Sequence, residues 1–179
     1  MTQHEYIFVT VSIIIGLAIT RLLHLLGDLI RHHEKVQFHW STVLWSLSIL
    51  TFILQLWWIG WGLRDFSSWM FIHFLTLIFA SICMYVAAEM ALPDPDDGYF
   101  DMLEHGQQLG RFSAVAMLVY FSIGPYVNVV MLENAVMPSL LVPLLGVALM
   151  LFIIVIPRWF KWLSPLFYLY ATVVLYLTV

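Results

Sequence analysis

The stretch YIFVTVSIIIGLAITRLLHLLGDL, residues 6–29, decides the fold class of this chain. Its apolar run is long enough to cross a bilayer, because about 20 apolar residues in a helix span the hydrocarbon core. Arg21, His24 and Asp28 nevertheless lie in its second half. A central arginine opposes insertion by about 2.5–3.5 kcal/mol, whereas each Leu, Ile, Val or Phe favours it by roughly 0.3–0.6 kcal/mol. The apolar residues outweigh the arginine, so we predict a membrane-spanning helix.

The composition extends this prediction to the whole chain. Of its 179 residues, 63% are hydrophobic and 10% are charged, whereas a soluble domain carries roughly 25% charged residues. The lipid bilayer is therefore the predicted surrounding of the chain. The seven Lys and Arg residues form no basic patch, so no nucleic-acid partner is expected. Cys83 is the only cysteine, which excludes an intramolecular disulfide and a cysteine-based zinc site.

Six segments are apolar enough to span the bilayer, which predicts an all-α polytopic membrane helical bundle. The predicted spans cover residues 6–29, 40–63, 69–92, 112–132, 138–157 and 163–179. All connections between them are short except residues 93–111. Consecutive helices are therefore expected to be antiparallel neighbours in one transmembrane domain.

The basic residues predict the orientation of the bundle. Five of them lie in the first, third and fifth connections: Arg31, Lys35, Arg111, Arg158 and Lys161. The second connection contains only Arg64, and the fourth contains none. Because cytoplasmic loops carry the excess of Lys and Arg, we predict that both termini lie outside. Most of the tryptophans lie at the predicted span ends, where interfacial residues are expected.

A line of small and polar residues runs along the first helix. Its members recur every four residues: Ser12, Gly16, Thr20, His24 and Asp28. Arg21 lies beside the last two, because residues three and four apart share a helix face. The apolar residues on the other side of the helix are then expected to face lipid: Val11, Ile14, Ala18, Leu22, Leu25, Leu26 and Leu29.

Two interpretations of this line remain open on the sequence. Small residues allow another helix to approach closely, and Arg21 would then lock two helices through a carboxylate partner. Alternatively, Arg21, His24 and Asp28 form part of a hydrated path for protons, ions or a small anion, because ionisable residues within membranes commonly mark such paths.

The depth of each residue in the membrane predicts the partner of Arg21. Arg21 lies in the inner third of the first span, and Glu89 lies near the inner end of the third. We therefore predict an Arg21–Glu89 pair, with Tyr85 or His24 as a further hydrogen-bonding member. Asp28, on the same helix as Arg21, is the alternative partner.

Other polar residues within the spans are candidates for lining a path or for packing helices. Ser48, Thr51 and Gln55 share one face of the second helix, and His73 lies in the third. In the fourth helix, Asn128 follows Gly124–Pro125, where a missing backbone donor is expected to bend the helix.

The connection 93–111 is acidic and predicted to be cytoplasmic. Its pattern predicts a short amphipathic helix near residues 99–105, capped by Asp96 or Asp97 and ended by Gly106. The acidic residues do not match the spacing of a calcium-binding EF-hand loop. We predict no cofactor-binding or metal-binding site.

No nucleophile–base arrangement, phosphate-binding loop or hydrolytic metal motif appears, so we do not expect an enzyme. The predicted function is an oligomeric channel or transporter for an ion, a proton or a small solute. The alternative is a non-catalytic membrane subunit, scaffold or sensor that binds partners through its polar helix faces and acidic inner loop. In overall character the chain resembles small multi-pass proteins of the bacterial inner membrane, which is the expected location.

Overall fold

The computed structural model describes residues 2–94 and 100–178. These residues form seven α-helices, which we number in chain order: α1 Gln3–Arg31, α2 Trp40–Gly62, α3 Phe71–Glu89, α4 Met102–Gln108, α5 Gly110–Tyr126, α6 Val136–Val155 and α7 Phe160–Thr178. All except α4 belong to helical segments long and apolar enough to cross a membrane. Two short strands, β1 Val36–Gln37 and β2 Phe100–Asp101, pair in parallel.

Helix α1 begins at a capping box. Thr2 Oγ1 accepts a hydrogen bond from the Glu5 backbone N–H at 3.2 Å, and Glu5 Oε2 accepts one from the Thr2 backbone N–H at 2.8 Å. Two of the N–H groups that the helix itself cannot pair are thereby satisfied. The helix has 29 residues and is therefore about 43 Å long. It exceeds the thickness of the hydrocarbon core, about 30 Å, so its polar ends can extend beyond that core.

Two of the most extensive helix contacts join helices that are not consecutive along the chain. Consecutive helices touch, but α1 packs most extensively against α3, and α2 packs most extensively against α7. Helix α5 contacts both α3 and α6. The prediction that consecutive spans are neighbours is therefore confirmed, most clearly for α5 with α3 and with α6. It did not include the contacts of α1 with α3 and of α2 with α7.

The centre of the bundle is aromatic. Trp45 and Phe52 on α2 meet Phe167 on α7, with ring centroids 5.0 and 5.6 Å apart respectively. Phe121 of α5 meets Phe52 edge-on at 5.0 Å. All four side chains are buried. Edge-to-face and offset ring pairs at these distances stabilise a core beyond the burial of area alone, so they hold α2, α5 and α7 together.

Helix α4 differs from its predicted bounds. It begins after Asp101, whose Oδ1 accepts from the Leu103 backbone N–H at 2.8 Å, and it continues to Gln108. The predicted caps, Asp96 and Asp97, lie outside the described residues. The prediction that Gly106 ends the helix is wrong, because this glycine instead makes room for the ring of Phe160 from α7.

Proline lies just after α3 and inside α5. Helix α3 stops at Glu89, before the turn at Ala91 and the Pro93 ring, which disfavours helical backbone in the preceding residue. Pro125 lies inside α5, and the helix continues beyond Tyr126 as a π-helical turn, Val127–Met131. Wider turns of this kind let a helix absorb an irregularity without ending.

Candidate functional site

Arg21 is held by two carboxylates at the predicted inner end of the bundle. Its Nε donates to Glu89 Oε2 at 2.8 Å, and its Nη2 donates to Asp94 Oδ2 at 3.0 Å. The Arg21 and Glu89 side chains are 26% and 31% exposed, and the Asp94 side chain is 44% exposed. The predicted contact between Arg21 and Glu89 is therefore present, and Asp94 is an additional partner.

The end of α3 explains why both carboxylates reach one arginine. Glu89 is the last residue of α3, and the chain turns before it reaches Pro93 and Asp94. Two carboxylates near one guanidinium leave this cluster with one net negative charge. Charge-assisted bonds of this length are the stronger class of hydrogen bond. Because an arginine keeps its proton in proteins, Arg21 fixes charge at this position and does not relay protons.

His24, Asp28 and Arg31 form a second, local network on α1. His24 Nε2 lies 3.2 Å from Asp28 Oδ2, and Arg31 Nη1 lies 3.2 Å from Asp28 Oδ1. Asp28 is thus engaged by residues of its own helix, and no contact between it and Arg21 is present among the described residues. The His24 side chain is 57% exposed, so its imidazole is accessible from the surface of one copy of the chain.

The third member of the Arg21 cluster is Asp94. The prediction that Tyr85 or His24 would take this place is wrong. The Tyr85 side chain is partly buried on α3, and its hydroxyl makes no hydrogen bond to any described residue. His24 contacts Asp28 instead. Asp94 lies beyond the helix, where counting helical turns from Glu89 no longer gives the position of a side chain.

The line of small residues on α1 faces away from the bundle. Gly16 and Thr20 are exposed, and a Cβ added at Gly16 would have no neighbouring atom within 4 Å. The Thr20 hydroxyl donates to the Gly16 carbonyl at 2.8 Å. Ser12 is partly exposed on the same line. The middle of the polar line, from Gly16 to His24, is therefore uncovered in one copy of the chain, and its ends at Ser12 and Asp28 are partly covered.

The opposite face of α1 is inside the bundle, so the expectation that it faces lipid is wrong. Its buried residues are Ile7, Val11, Ile15, Ala18, Leu22, Leu25 and Leu29. Helix α3, which packs against α1, buries small residues that include Ala80, Ala87 and Ala88. Helices in lipid associate by close van der Waals packing, which small side chains on α3 allow.

The remaining predicted lining residues do not join Arg21. Ser48 and Thr51 donate to carbonyls one turn earlier in α2, at 2.7 and 2.9 Å. Gln55 Nε2 donates to Thr178 Oγ1 on α7 at 2.7 Å. Asn128 Nδ2 donates to the Gly124 carbonyl at 3.0 Å. Gln55 and Asn128 line a cavity between α2, α5, α6 and α7, so the predicted polar residues divide between two places.

His73 has a structural position at the beginning of α3. Its Nδ1 accepts from the Met70 backbone N–H at 3.1 Å, so the proton of the neutral ring lies on Nε2. The ring is buried among aromatic neighbours, with the Phe66 centroid 5.1 Å away and the Tyr126 centroid 6.1 Å away. Its Nε2 has no hydrogen-bond partner among the described residues.

Several buried hydrogen bonds between helices were not anticipated from the sequence. Trp45 Nε1 donates to Ser113 Oγ at 3.1 Å, and Ser113 Oγ donates to the Ala87 carbonyl at 2.8 Å. This chain of bonds connects α2, α5 and α3. Ser164 of α7 donates to the Ser41 carbonyl in α2. A serine in an apolar segment also bonds readily to its own helix, so its residue type alone does not reveal such a contact.

Groups of three or more His, Cys, Asp or Glu residues that could hold a metal ion are absent from residues 2–94 and 100–178. The geometry instead offers a fixed ionic cluster, an exposed imidazole beside a carboxylate, and an uncovered polar helix face. Comparisons with protein-family models, with curated proteins and with solved structures find no match to this chain.

Proposed function

We propose that this chain is a non-catalytic subunit of a membrane assembly in which the polar face of α1 packs against α1 of a second copy. The observation that carries the proposal is the uncovered line Gly16–Thr20–His24 on a helix long and apolar enough to span a membrane. Polar groups facing lipid are unfavourable, and small residues favour close helix approach. A second helix on this face would satisfy both conditions.

A second copy suits this face because identical chains share one orientation in the membrane. Each α1 then presents the same residues at the same depth, as a two-fold symmetric interface requires. Near the predicted inner end, α1 carries Arg21, Asp28 and Arg31, and Arg21 is paired with Glu89 of α3 and with Asp94. Their charges nearly balance, so two such surfaces can approach without strong repulsion.

Single-cysteine crosslinking in membranes tests this association. In a Cys83→Ala background, Thr20→Cys is expected to give a disulfide-linked dimer under mild oxidation, because a disulfide requires Cα atoms within about 7 Å. Thr172→Cys on α7 is the matched control. Thr172 is also exposed, its hydroxyl also donates to a carbonyl one turn earlier, and it follows the start of α7 by about as many residues as Thr20 precedes the end of α1.

A second pair of variants separates association from folding. Thr20→Leu enlarges a residue that is exposed in one copy, so the monomer should fold normally and the dimer should be lost from a size measurement in detergent. Thr172→Leu should leave the dimer intact. Equal crosslinking at both cysteines, or a monomer for the unmodified chain in lipid, would overturn the proposal.

A path for ions, protons or a small solute between copies is the second candidate. It is favoured by one observation, the exposed His24 imidazole 3.2 Å from the Asp28 carboxylate on the same face. Proteoliposome flux that is lost in His24→Ala and in Arg21→Leu, but kept in Thr172→Leu, would support the path. If dimers form but no flux is measured, the path is excluded and the subunit role is the one supported. The acidic loop stays a predicted docking site for a partner: Asp94, Asp101 and Glu104 are described, whereas Asp96 and Asp97 lie outside the described residues.

A further inference from the structure

A cavity of about 460 Å³ lies in the half of the bundle away from Arg21. It is lined by residues of α2, α5, α6 and α7 and by Ala80 of α3, with Phe52, Phe121 and Tyr170 among its aromatic lining residues. Asn134 and Ala135, between α5 and α6, contribute to the lining toward the predicted outer end. Its volume is within the range of small-molecule sites, about 300–1,000 Å³.

The described residues that line this cavity carry no formal charge. Asp, Glu, Lys, Arg and His are all absent from them. An ion entering this space would lose its hydration without gaining a counter-charge, which is unfavourable in an apolar surrounding. The lining therefore selects against ions and charged solutes and favours a neutral molecule with a large apolar surface.

Two largely buried residues in the cavity lining have hydroxyls without a hydrogen-bond partner among the described residues. Tyr120 of α5 is 9% exposed, and Ser139 of α6 is 6% exposed. Neither hydroxyl bonds to any described residue, and both residues line the cavity. Each can donate one hydrogen bond. Because both residues line the cavity and neither hydroxyl is engaged by the protein, both hydroxyls are available to a molecule in the cavity.

The amide of Gln55 provides a further polar atom. Thr178 Oγ1 donates its proton to the Val174 carbonyl at 2.7 Å, so it must accept from Gln55 Nε2. This fixes the orientation of the amide. The Gln55 Oε1 then remains as an acceptor without a partner among the described residues. The lining also contains Asn128, Asn134, Tyr170 and Thr178, whose side chains hydrogen-bond within the protein. The polar groups without a partner are thus two hydroxyls and one carbonyl oxygen beside aromatic rings.

From this lining we infer that the cavity binds a neutral, lipid-soluble carbonyl compound. The apolar body of the ligand would pack against Phe52 and Phe121, and its carbonyl oxygen would accept from the Tyr120 or Ser139 hydroxyl. The inference is independent of association through α1, because the two features lie on different helices of the bundle.

Paired probes test the inference. Fluorenone and fluorene share one tricyclic skeleton, and only fluorenone has a carbonyl oxygen. Equilibrium dialysis against the purified full chain in detergent, corrected with protein-free micelles, should show saturable binding of one fluorenone per chain. Fluorene should bind at least tenfold more weakly, because it leaves the cavity hydroxyls without a partner.

Conservative variants locate the site. Tyr120→Phe and Ser139→Ala remove only the hydroxyls, and at least one of them should weaken fluorenone binding about three- to tenfold, as expected for the loss of one hydrogen bond. Neither should alter fluorene binding. The controls are Tyr168→Phe and Ser122→Ala, which change the same residue types outside the cavity lining and should leave fluorenone binding unchanged.

The folded state of the variants can be checked without ligand. Removing an unpartnered hydroxyl should not lower the unfolding temperature, so weaker binding with an unchanged unfolding temperature supports the site. Equal affinity for fluorene and fluorenone would overturn the inference, as would the absence of saturable binding or unchanged fluorenone binding in both hydroxyl variants.

Discussion

The two carboxylates that hold Arg21 are not equivalent. Glu89 is the less exposed of the two and makes the shorter bond, 2.8 Å against 3.0 Å for Asp94. We expect Glu89→Gln to lower the free energy of unfolding by about 1–2 kcal/mol, because a charge-assisted bond is replaced by a neutral one. Asp94→Asn should lower it by less than about 1 kcal/mol, as for exposed ion pairs. Denaturant titration in micelles measures both.

The control for this comparison is Glu34→Gln, at an exposed glutamate in the first connection, which should change the free energy of unfolding by about 0.5 kcal/mol or less. Combining each variant with Arg21→Gln gives the coupling energies. A coupling between Arg21 and Asp94 larger than that between Arg21 and Glu89 would contradict the proposed order.

The imidazole of His105 in α4 makes stability depend on pH. Burial lowers the pKa of His105, and a hydrogen bond to the Met90 backbone opposes this shift only in part. The folded chain therefore binds fewer protons here than the unfolded chain. The free energy of unfolding should fall as the pH drops below about 6.5, by at most about 1.4 kcal/mol per pH unit for this residue. Unfolding titrations between pH 5 and pH 7 measure the slope.

The variant His105→Gln should reduce this slope without abolishing it. His39 contributes with the same sign, since burial and the nearby Lys161 lower its pKa, with Asp101 opposing them. Replacing both histidines should remove most of the acid-side slope. A slope in His105→Gln as steep as in the unmodified chain would show that His105 does not carry it.

For individual residues, the sequence predicts a contact only when both partners lie in regular helices. Arg21 and Glu89 each lie in a long helix, so depth can be counted along the chain. Asp94 follows Pro93 and lies outside that regularity. The sequence could not show that the hydroxyls of Tyr120 and Ser139 lack partners. A tyrosine or serine is the same residue in the sequence whether or not its hydroxyl is hydrogen-bonded.

At the scale of elements, α4 depends on a glycine against an aromatic ring. A Cβ at Gly106 would collide with the buried Phe160 ring. Gly106→Ala should therefore lower the free energy of unfolding by about 1–3 kcal/mol, as overpacking does. Gly27→Ala in α1 is the matched control, because no atom lies within 4 Å of its added Cβ. It should be neutral or stabilising by up to about 1 kcal/mol. Thermal unfolding of both variants checks this, and equal effects would contradict it.

The existence of each long helix could be predicted, whereas the direction of its faces could not. Apolar length is sufficient to indicate a span, and it located all six long helices. In α1, however, the leucine face was expected to contact lipid and is buried in the bundle, whereas Gly16 and Thr20 are exposed. Lipid and protein interior are equally apolar, so hydrophobicity does not distinguish them. The choice depends on the shape of α3, which becomes visible only when the two helices are packed.

At the scale of the whole molecule, the predicted orientation can be tested with two acidic positions. In a Cys83→Ala background, Asp65→Cys lies in the second connection and Glu34→Cys lies in the first. A membrane-impermeant maleimide should label Asp65→Cys in intact cells and Glu34→Cys only after permeabilisation, because the predicted cytoplasmic connections carry the excess of basic residues. The reverse labelling would invert the orientation, and labelling of both in intact cells would contradict a span between them.

The pairing of α1 with α3 also sets an order of events during synthesis. Arg21 and Glu89 are separated by 68 positions in the chain. At about 5–20 residues per second, the ribosome needs about 3–14 s to make that interval. For this time the first helix carries a guanidinium whose carboxylate does not yet exist. The nascent chain must therefore keep α1 near water, a lipid phosphate or the insertion machinery until the third helix arrives.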